Sequence, residues 1–305
     1  MHTNEVNFKK LSVFLMFMQE RNISRTADRL NLSAVSVHRA LHSLEDSFGF
    51  PLFVNKGRNL IPLESAELLV QPIRQTINTL QAGISTAREA MGEERKSLRV
   101  GVLCSLIPHV LPSLLEGLKI QKPKLSVEVI SGPNSLLIQH LNEGDIDAAL
   151  LGTPYLGAGK PREISLFTDD LYFGCPSSSK HAALKAVDIA DYTEENFISL
   201  SSGFSTALMY DEVFRIARYE PRTIATAHDI FSLVHFVAQG FGFTILPKRM
   251  DSICKSYGVT LVPLAKKYKV SQEIALIYKP GKEKDQNLLV LAEECRNFTL
   301  HSRGK

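Results

Sequence analysis

Six side chains in one short stretch carry the donors and apolar groups that a nucleic-acid edge requires: Ser33, Val35, Ser36, His38, Arg39 and His42. At about 100° per residue, a helix here places Val35, Arg39 and His42 opposite Val37 and Leu41, with Ser36 and His38 on the flanks. Arg39 can pair with guanine O6 and N7, Ser36 and His38 can bond a base edge or a phosphate, and Val35 can touch a thymine methyl. A second basic pair, Lys56 and Arg58, brackets Gly57 between two short extended runs, where the tip of a wing would meet phosphates. The first 60 residues hold eight Lys or Arg against five Asp or Glu, so the local balance is positive. The same pattern also suits a small helical module for protein contacts whose third helix has a solvated face. Geometry alone leaves both readings open.

These residues need elements to hold them. Leu11, Phe14, Leu15 and Met18 recur at i, i+3, i+4 and i+7, the stripe of a first helix. Ser24 stands where an N-cap would begin a second short helix with Ala27 and Leu30 inside, and Asn31-Leu32 forms the turn. Ser33 caps a third helix reaching about Phe48, with Val37, Leu41, Leu44 and Phe48 on its buried face. Three short helices and such a turn predict a helix-turn-helix, and the hairpin-like 50–61 segment predicts its wing.

From Ala66, the positions Val70, Ile73, Ile77, Leu80, Ile84, Ala87 and Met91 follow at alternating intervals of four and three. This heptad seam predicts one helix roughly 35–40 Å long that pairs with a second copy, or else packs on its own sensor domain. An interior proline costs about 3 kcal/mol or bends a helix, so Pro72 predicts a bend near residues 68–72. Gly92 and the charged run 93–96 then read as a hinge.

Beyond it, strand-like and helix-like stretches alternate, which predicts an α/β sheet in two lobes. The expected limits are 1–62 for the winged helix-turn-helix, 63–92 for the dimerisation helix and 93–305 for an effector domain. Within the last, lobe I covers about 97–167 and 270–305, and lobe II about 168–269.

Composition removes several classes of function. With 44% hydrophobic and 22% charged residues the chain can bury more than one core, and a net charge of +3 does not by itself announce nucleic acid. The N-terminus lacks a signal-peptide layout, and no apolar run approaches the roughly 18 residues of a membrane span, so a cytoplasmic protein away from membranes is expected. That argues against an exported solute-binding protein. No Gly-x-Ser-x-Gly elbow, P-loop, dinucleotide fingerprint or His-Glu-x-x-His occurs, so no enzyme is expected. Cys104, Cys175, Cys254 and Cys295 are scattered, and His109, His140, His228 and His235 share no ligand-like spacing; neither a disulfide framework nor a metal is expected.

The series Ala27-Asp28-Arg29-Leu30-Asn31-Leu32-Ser33, Val37-His38-Arg39-Ala40-Leu41-His42-Ser43-Leu44-Glu45, Leu52-Phe53 and Gly57-Arg58 resembles the winged helix-turn-helix of LysR-type transcriptional regulators. The chain departs from that pattern at Val35, His38 and Asn55, where the family usually has Pro, Ser and Arg. Gly101-Val102-Leu103-Cys104-Ser105, Gly144-Asp145-Ile146-Asp147-Ala148 and 240–247 extend the likeness to the family's effector domain, itself similar to periplasmic binding proteins. The resemblance implies groove-reading roles for Ser36, His38 and Arg39 and a phosphate role for Arg58. By matching position it also implies an inter-lobe site formed by Ser105, Leu106, Pro133, Asn134, Gly203, Phe204 and Ser205. Ser105 suits a helix cap equally well, and Phe204 a lobe core. The implied partners are double-stranded promoter DNA, a small-molecule effector, a homodimer or homotetramer of the chain, and RNA polymerase, with no cofactor. The segments 7–18 and 35–41 are similar to family members that regulate malonate utilisation, which implies a small dicarboxylate such as malonate as effector and a catabolic operon as target. The competing function is a cytoplasmic small-molecule-binding protein whose helical module contacts another protein.

Overall fold

The computed structural model describes residues 6–57, 59–91, 97–153 and 162–302. It divides into one unit running to Glu93 and a second from Glu94 onward.

In the first unit, α1 (Phe8–Glu20) starts where the Asn7 side chain accepts the Lys10 N–H and stops at Arg21 in the left-handed region. The start of α2 (Ile23–Leu30) is capped by Asn22, which accepts the Arg25 N–H at 3.0 Å. Ser24, expected as that cap, lies inside the helix instead: Asn22 keeps the extended backbone a cap requires and turns its side chain back onto the first turn. Asn31, at φ 51°, makes the tight turn, and α3 (Ala34–Phe48) opens with Ser33 accepting the Ser36 N–H. Strands β1 (Phe53–Lys56) and β2 (Asn59–Pro62) pair antiparallel with Lys56 opposite Asn59. Gly57, at φ +64°, supplies the left-handed residue that a two-residue connection demands. One core joins them, with Phe14, Phe17, Val37, Leu41, Leu44 and Leu52 sealed from solvent.

The long helix α4 (Glu64–Ala90) runs through Pro72 without ending there. Pro72 falls in the third turn, and its carbonyl still accepts a hydrogen bond from the Thr76 hydroxyl at 2.8 Å. The heptad seam divides in two. Ala66 and Ile73 are buried in the helix-turn-helix core with Val70 and Ile77 packed against it, whereas Leu80, Ile84, Ala87 and Met91 are exposed.

In the second unit, β3 (Ser97–Val102), β4 (Ser126–Ser131) and β5 (Ala148–Thr153) run parallel, joined by α5 (Leu111–Gln121) and α6 (Asn134–Glu143). The fifteen-residue strand β6 (Arg162–Pro176) serves both lobes. Up to Asp170 it pairs with β11 (Ser271–Tyr278), which lies antiparallel to β5, and from Leu171 it pairs with β9 (Thr244–Pro247) and β10 (Val259–Pro263). A parallel pair, β7 (Asn196–Leu200) and β8 (Arg222–Ala227), completes lobe II with α7 (Ser205–Ala217), α8 (Ile230–Ala238) and α9 (Asp251–Ser256). The chain therefore crosses between lobes twice, within β6 and just before β11; α10 (Gln286–Ser302) returns to lobe I. Strand β5 is buried at five successive positions because the sheet is covered on both faces. Lobe I has one apolar core, and two further clusters fill lobe II.

Candidate functional site

Two regions collect chemistry-bearing side chains, one in each unit. On α3, Val35 is 67% exposed, and Ser33, Ser36, His38 and Arg39 are solvent-facing while Val37 and Leu41 are buried. The face expected to read a groove is therefore the solvent face. Arg39 makes no ion pair among the described residues, which leaves its planar donor edge available to a guanine or a phosphate. Ser33 and Ser36 share a hydroxyl–hydroxyl contact at 2.8 Å. His38 and His42 lie with tilted rings whose centroids are 4.3 Å apart.

Glu45 joins this face to the wing. One carboxylate oxygen accepts the Leu52 and Phe53 N–H groups at 2.8 and 3.0 Å, and the other lies 2.6 Å from His42 Nδ1. The hairpin is thereby fixed relative to α3, with Lys56 exposed at its tip. Arg58, the other expected wing contact, lies outside the described residues. Sequence reasoning placed no role on Lys10, yet its ammonium reaches Ser43 Oγ on α3 at 2.6 Å, one turn beyond the groove-reading residues.

In the second unit, Ser105, Asn134 and Ser205 meet between the lobes, each at most 5% exposed. Asn134, first residue of α6, donates to the Gly152 carbonyl at 2.6 Å and accepts from Ser205 N–H and Ser205 Oγ. Gln272 donates to Ser205 Oγ at 2.7 Å. Next to it stands Arg249, whose Nε donates to Ser105 Oγ at 3.1 Å, Nη2 to Gln272 Oε1 at 2.8 Å and Nη1 to Asp169 Oδ2 at 2.8 Å. Burial lowers the pKa of this guanidinium, and the Asp169 carboxylate works against that shift. Ser135 N–H donates to the Gly203 carbonyl, and His109 bonds Ser252; with the Asn134–Ser205, Gln272–Ser205, Ser105–Arg249 and Gln272–Arg249 bonds these contacts tie lobe I to lobe II across the cleft.

Of the residues expected here, Ser105 is not a helix cap: it sits in a single 3-10 turn, Cys104–Leu106, with its hydroxyl directed at Arg249. Pro133 precedes α6 and positions Asn134. Leu106 and Phe204 turn the other way, Leu106 into the lobe I core and Phe204 into a lobe II core, because each apolar side chain gains more from its own lobe than from a polar cleft. Sequence reasoning missed Arg249, Gln272, Asp169 and Gly152. A polar Gln ahead of the apolar run Ile274–Tyr278, and an Asp169-Asp170 step inside a long strand, were the available signals. Both fall where the chain changes lobes. Gly152 is needed for closeness: a Cβ there would lie 2.5 Å from Ser205 Oγ and 2.6 Å from the Gln272 amide carbon.

His140, Glu143 and Asp145 gather within 4.8 Å at the end of α6. The same turn also receives the Arg99 guanidinium on the Gly144 carbonyl and the Lys279 ammonium on the Asn142 carbonyl. His235 packs on Tyr257. Burial holds the thiols of Cys254 and Cys295 up at about 12, far from thiolate reactivity. Among the described residues, no helix is long and apolar enough to cross a membrane.

Comparison with known proteins places both regions. Residues 8–67 match the bacterial regulatory helix-turn-helix proteins of the lysR family, and residues 91–299 match the LysR substrate binding domain. A malonate utilization transcriptional regulator of Klebsiella pneumoniae is 38% identical over 299 residues, covering 96% of each chain. The transcriptional dual regulator GltC of Bacillus subtilis is 25% identical over 80% of this chain and 81% of its own length. Among solved structures, full-length CbnR complexed with its target DNA superposes with a TM-score of 0.72 at 17% identity, covering 96% of this chain and 100% of that one. A full-length OxyR variant from Pseudomonas aeruginosa superposes with a TM-score of 0.68 at 19% identity, covering 95% of each. This chain belongs to the LysR family: it is a DNA-binding transcriptional regulator, not an enzyme, with a winged helix-turn-helix that reads DNA and a two-lobed domain that binds an effector.

Proposed function

We propose that the effector is a small dicarboxylate, malonate or a close relative, and that it enters between the lobes to control transcription of a catabolic operon. The observation that carries this reading is the orientation of Arg249. Its Nη1 is held by Asp169, while its Nε and Nη2 edge, the fork that grips a carboxylate with two parallel bonds, faces two neutral acceptors, Ser105 Oγ and Gln272 Oε1. A carboxylate exchanged for those neutral groups gains two charge-assisted bonds and leaves the Asp169 pair intact. The hydroxyls of Ser105 and Ser205 and the amide of Asn134 exchange their present protein partners for a second carboxylate. The 38% identity to a malonate utilization regulator supports the same ligand class.

Because Ser105 and Asn134 belong to lobe I while Arg249 and Ser205 belong to lobe II, a ligand held by all four favours one inter-lobe angle over another. Its differential affinity for the two shapes is then the switching energy. The protein acts in the cytoplasm on double-stranded promoter DNA and communicates with RNA polymerase. The exposed half of the α4 seam, Leu80, Ile84, Ala87 and Met91, supports a homodimer that presents two reading helices, with a homotetramer as the working form. Ser36, His38, Arg39 and Val35 read bases, and Ser33, His42, Lys56 and Arg58 hold the backbone or the flanks of the site.

The test pairs two measurements on the full-length protein. Salt-series binding to the DNA upstream of its own gene, with Arg39→Ala alongside, is expected to show a steep slope and specific affinity that the variant loses by about 1–3 kcal/mol. Calorimetric titration with malonate is expected to give saturable heat that disappears in Arg249→Met. Specific binding unaffected by Arg39→Ala refutes the assigned reading face. Absence of heat with malonate while another metabolite binds refutes the effector.

A further inference from the structure

His38 and His42 lie four residues apart on α3, so their imidazoles share one face. Their Nε2 atoms are 3.3 Å apart. Two nitrogens bound to one tetrahedral Zn2+, each at about 2.0–2.1 Å, are separated by roughly 3.3–3.4 Å. A hydrogen bond between the rings holds this spacing without an ion, and it is the same spacing that a chelate requires.

Glu45 supplies the independent second feature. Its carboxylate lies 2.6 Å from His42 Nδ1 and is itself anchored by the Leu52 and Phe53 N–H groups. That contact holds the His42 ring by its Nδ1 edge and leaves Nε2 on the side that faces His38. A carboxylate that anchors the far edge of a histidine ring and fixes its orientation is the arrangement that supports metal-bound histidines. Sequence spacing weighed only His109, His140, His228 and His235 as ligands, while this pair was read for DNA. The i, i+4 interval on one helix face is nevertheless the interval at which two helical histidines grip one zinc ion.

We propose that His38 and His42 form a two-histidine site for a borderline divalent transition-metal ion of the Zn2+ class, backed by Glu45, and that loading it withdraws both imidazoles from contact with DNA. Water completes the coordination of the ion. The bound ion occupies the exposed face of α3 that also carries Arg39, so metal and specific DNA compete, and by linkage each weakens the other equally.

The experiment uses full-length protein with Zn2+ as the probe. Zn2+ affinity is measured without DNA by competition with a chromogenic chelator, for wild type, His38→Gln, His42→Gln and Glu45→Gln. Each histidine variant is expected to lose at least tenfold in affinity, and Glu45→Gln about tenfold because His42 loses the carboxylate that orients it. Binding to DNA upstream of the gene is then followed as Zn2+ rises: wild-type affinity falls at least tenfold and returns with EDTA, while His42→Gln is insensitive to the ion over the same range. Zn2+ affinity equal in wild type and both histidine variants overturns the site. Loss of Zn2+ affinity in the variants with wild-type DNA binding indifferent to the ion overturns the competition.

Discussion

Replacing Arg249 by methionine keeps most of the length of the side chain and removes its charge and all five donors, which isolates what the guanidinium does between the lobes. Arg249 and Asp169 are each 7% exposed at the side chain and 2.8 Å apart. Breaking such a pair by deleting one partner costs about 3–5 kcal/mol, chiefly because the other charge is left buried without compensation. Ser105 and Gln272 also lose their donor. The second unit spans 212 residues, from Glu94 to Lys305, and for a domain of that size each kcal/mol shifts the midpoint by about 2–4 °C. Arg249→Met is therefore expected to lower its unfolding temperature by roughly 6–20 °C. The double variant Arg249→Met, Asp169→Leu removes both charges and is expected to recover most of the loss, since well-packed apolar replacements of buried pairs are often neutral or stabilising. Urea and thermal unfolding of both single variants and the double variant beside wild type give the coupling directly. Arg249→Met within about 1 kcal/mol of wild type, or a double variant no better than that single, would refute the claim that this pair is a dry, mutually dependent contact.

Two other perturbations read different parts of the same unit. Gly152→Ala places a Cβ 2.5 Å from Ser205 Oγ; overpacking of this kind typically costs about 1–3 kcal/mol, and the Gln272–Ser205–Asn134 chain is expected to break, with weaker effector binding by calorimetry alongside a lower unfolding midpoint. Asp188 pairs with Lys267 at 2.7 Å and accepts from Tyr268 OH at 2.6 Å, which together hold its carboxyl down at about 2. A depressed carboxylate pKa adds stability above its ordinary value near 3.8 and loses it as pH falls toward 2. The stability difference between wild type and Asp188→Asn should thus be constant from about pH 7 to 5 and shrink below about 4, and a difference that grows on acidification would contradict the assignment.

What the residues announced in advance, and what they withheld, follows from where the free energy resides. The helices of the DNA-reading unit were legible because periodic apolar residues such as Phe14, Val37 and Leu41 must reach one core, and Ser33 caps its helix by a bond made within a single turn. The cap of α2 went to Asn22 rather than Ser24 because two capping residues stand two positions apart, and only the entry angle from α1 chooses between them. Periodicity equally could not say what the seam of α4 meets: Ala66 and Ile73 satisfy a heptad pattern whether their partner is a second copy or the helix-turn-helix beside them, and in the fold they join the latter. The cleft was legible only in part. Ser105, Asn134 and Ser205 lie at strand ends and helix starts, which local order marks. Asp169 and Gln272 stand 80 and 23 residues from Arg249 in sequence and are joined to it only by tertiary folding. Arg249 reads in sequence as one more basic residue beside Lys248. Its meaning lies in its burial, since a guanidinium that keeps Asp169 on one edge and neutral acceptors on the other has been desolvated without using its carboxylate-binding fork on a carboxylate. That edge, bonded to neutral Ser105 and Gln272 rather than to a carboxylate, is the physical reason, more than any motif, for proposing an anionic effector.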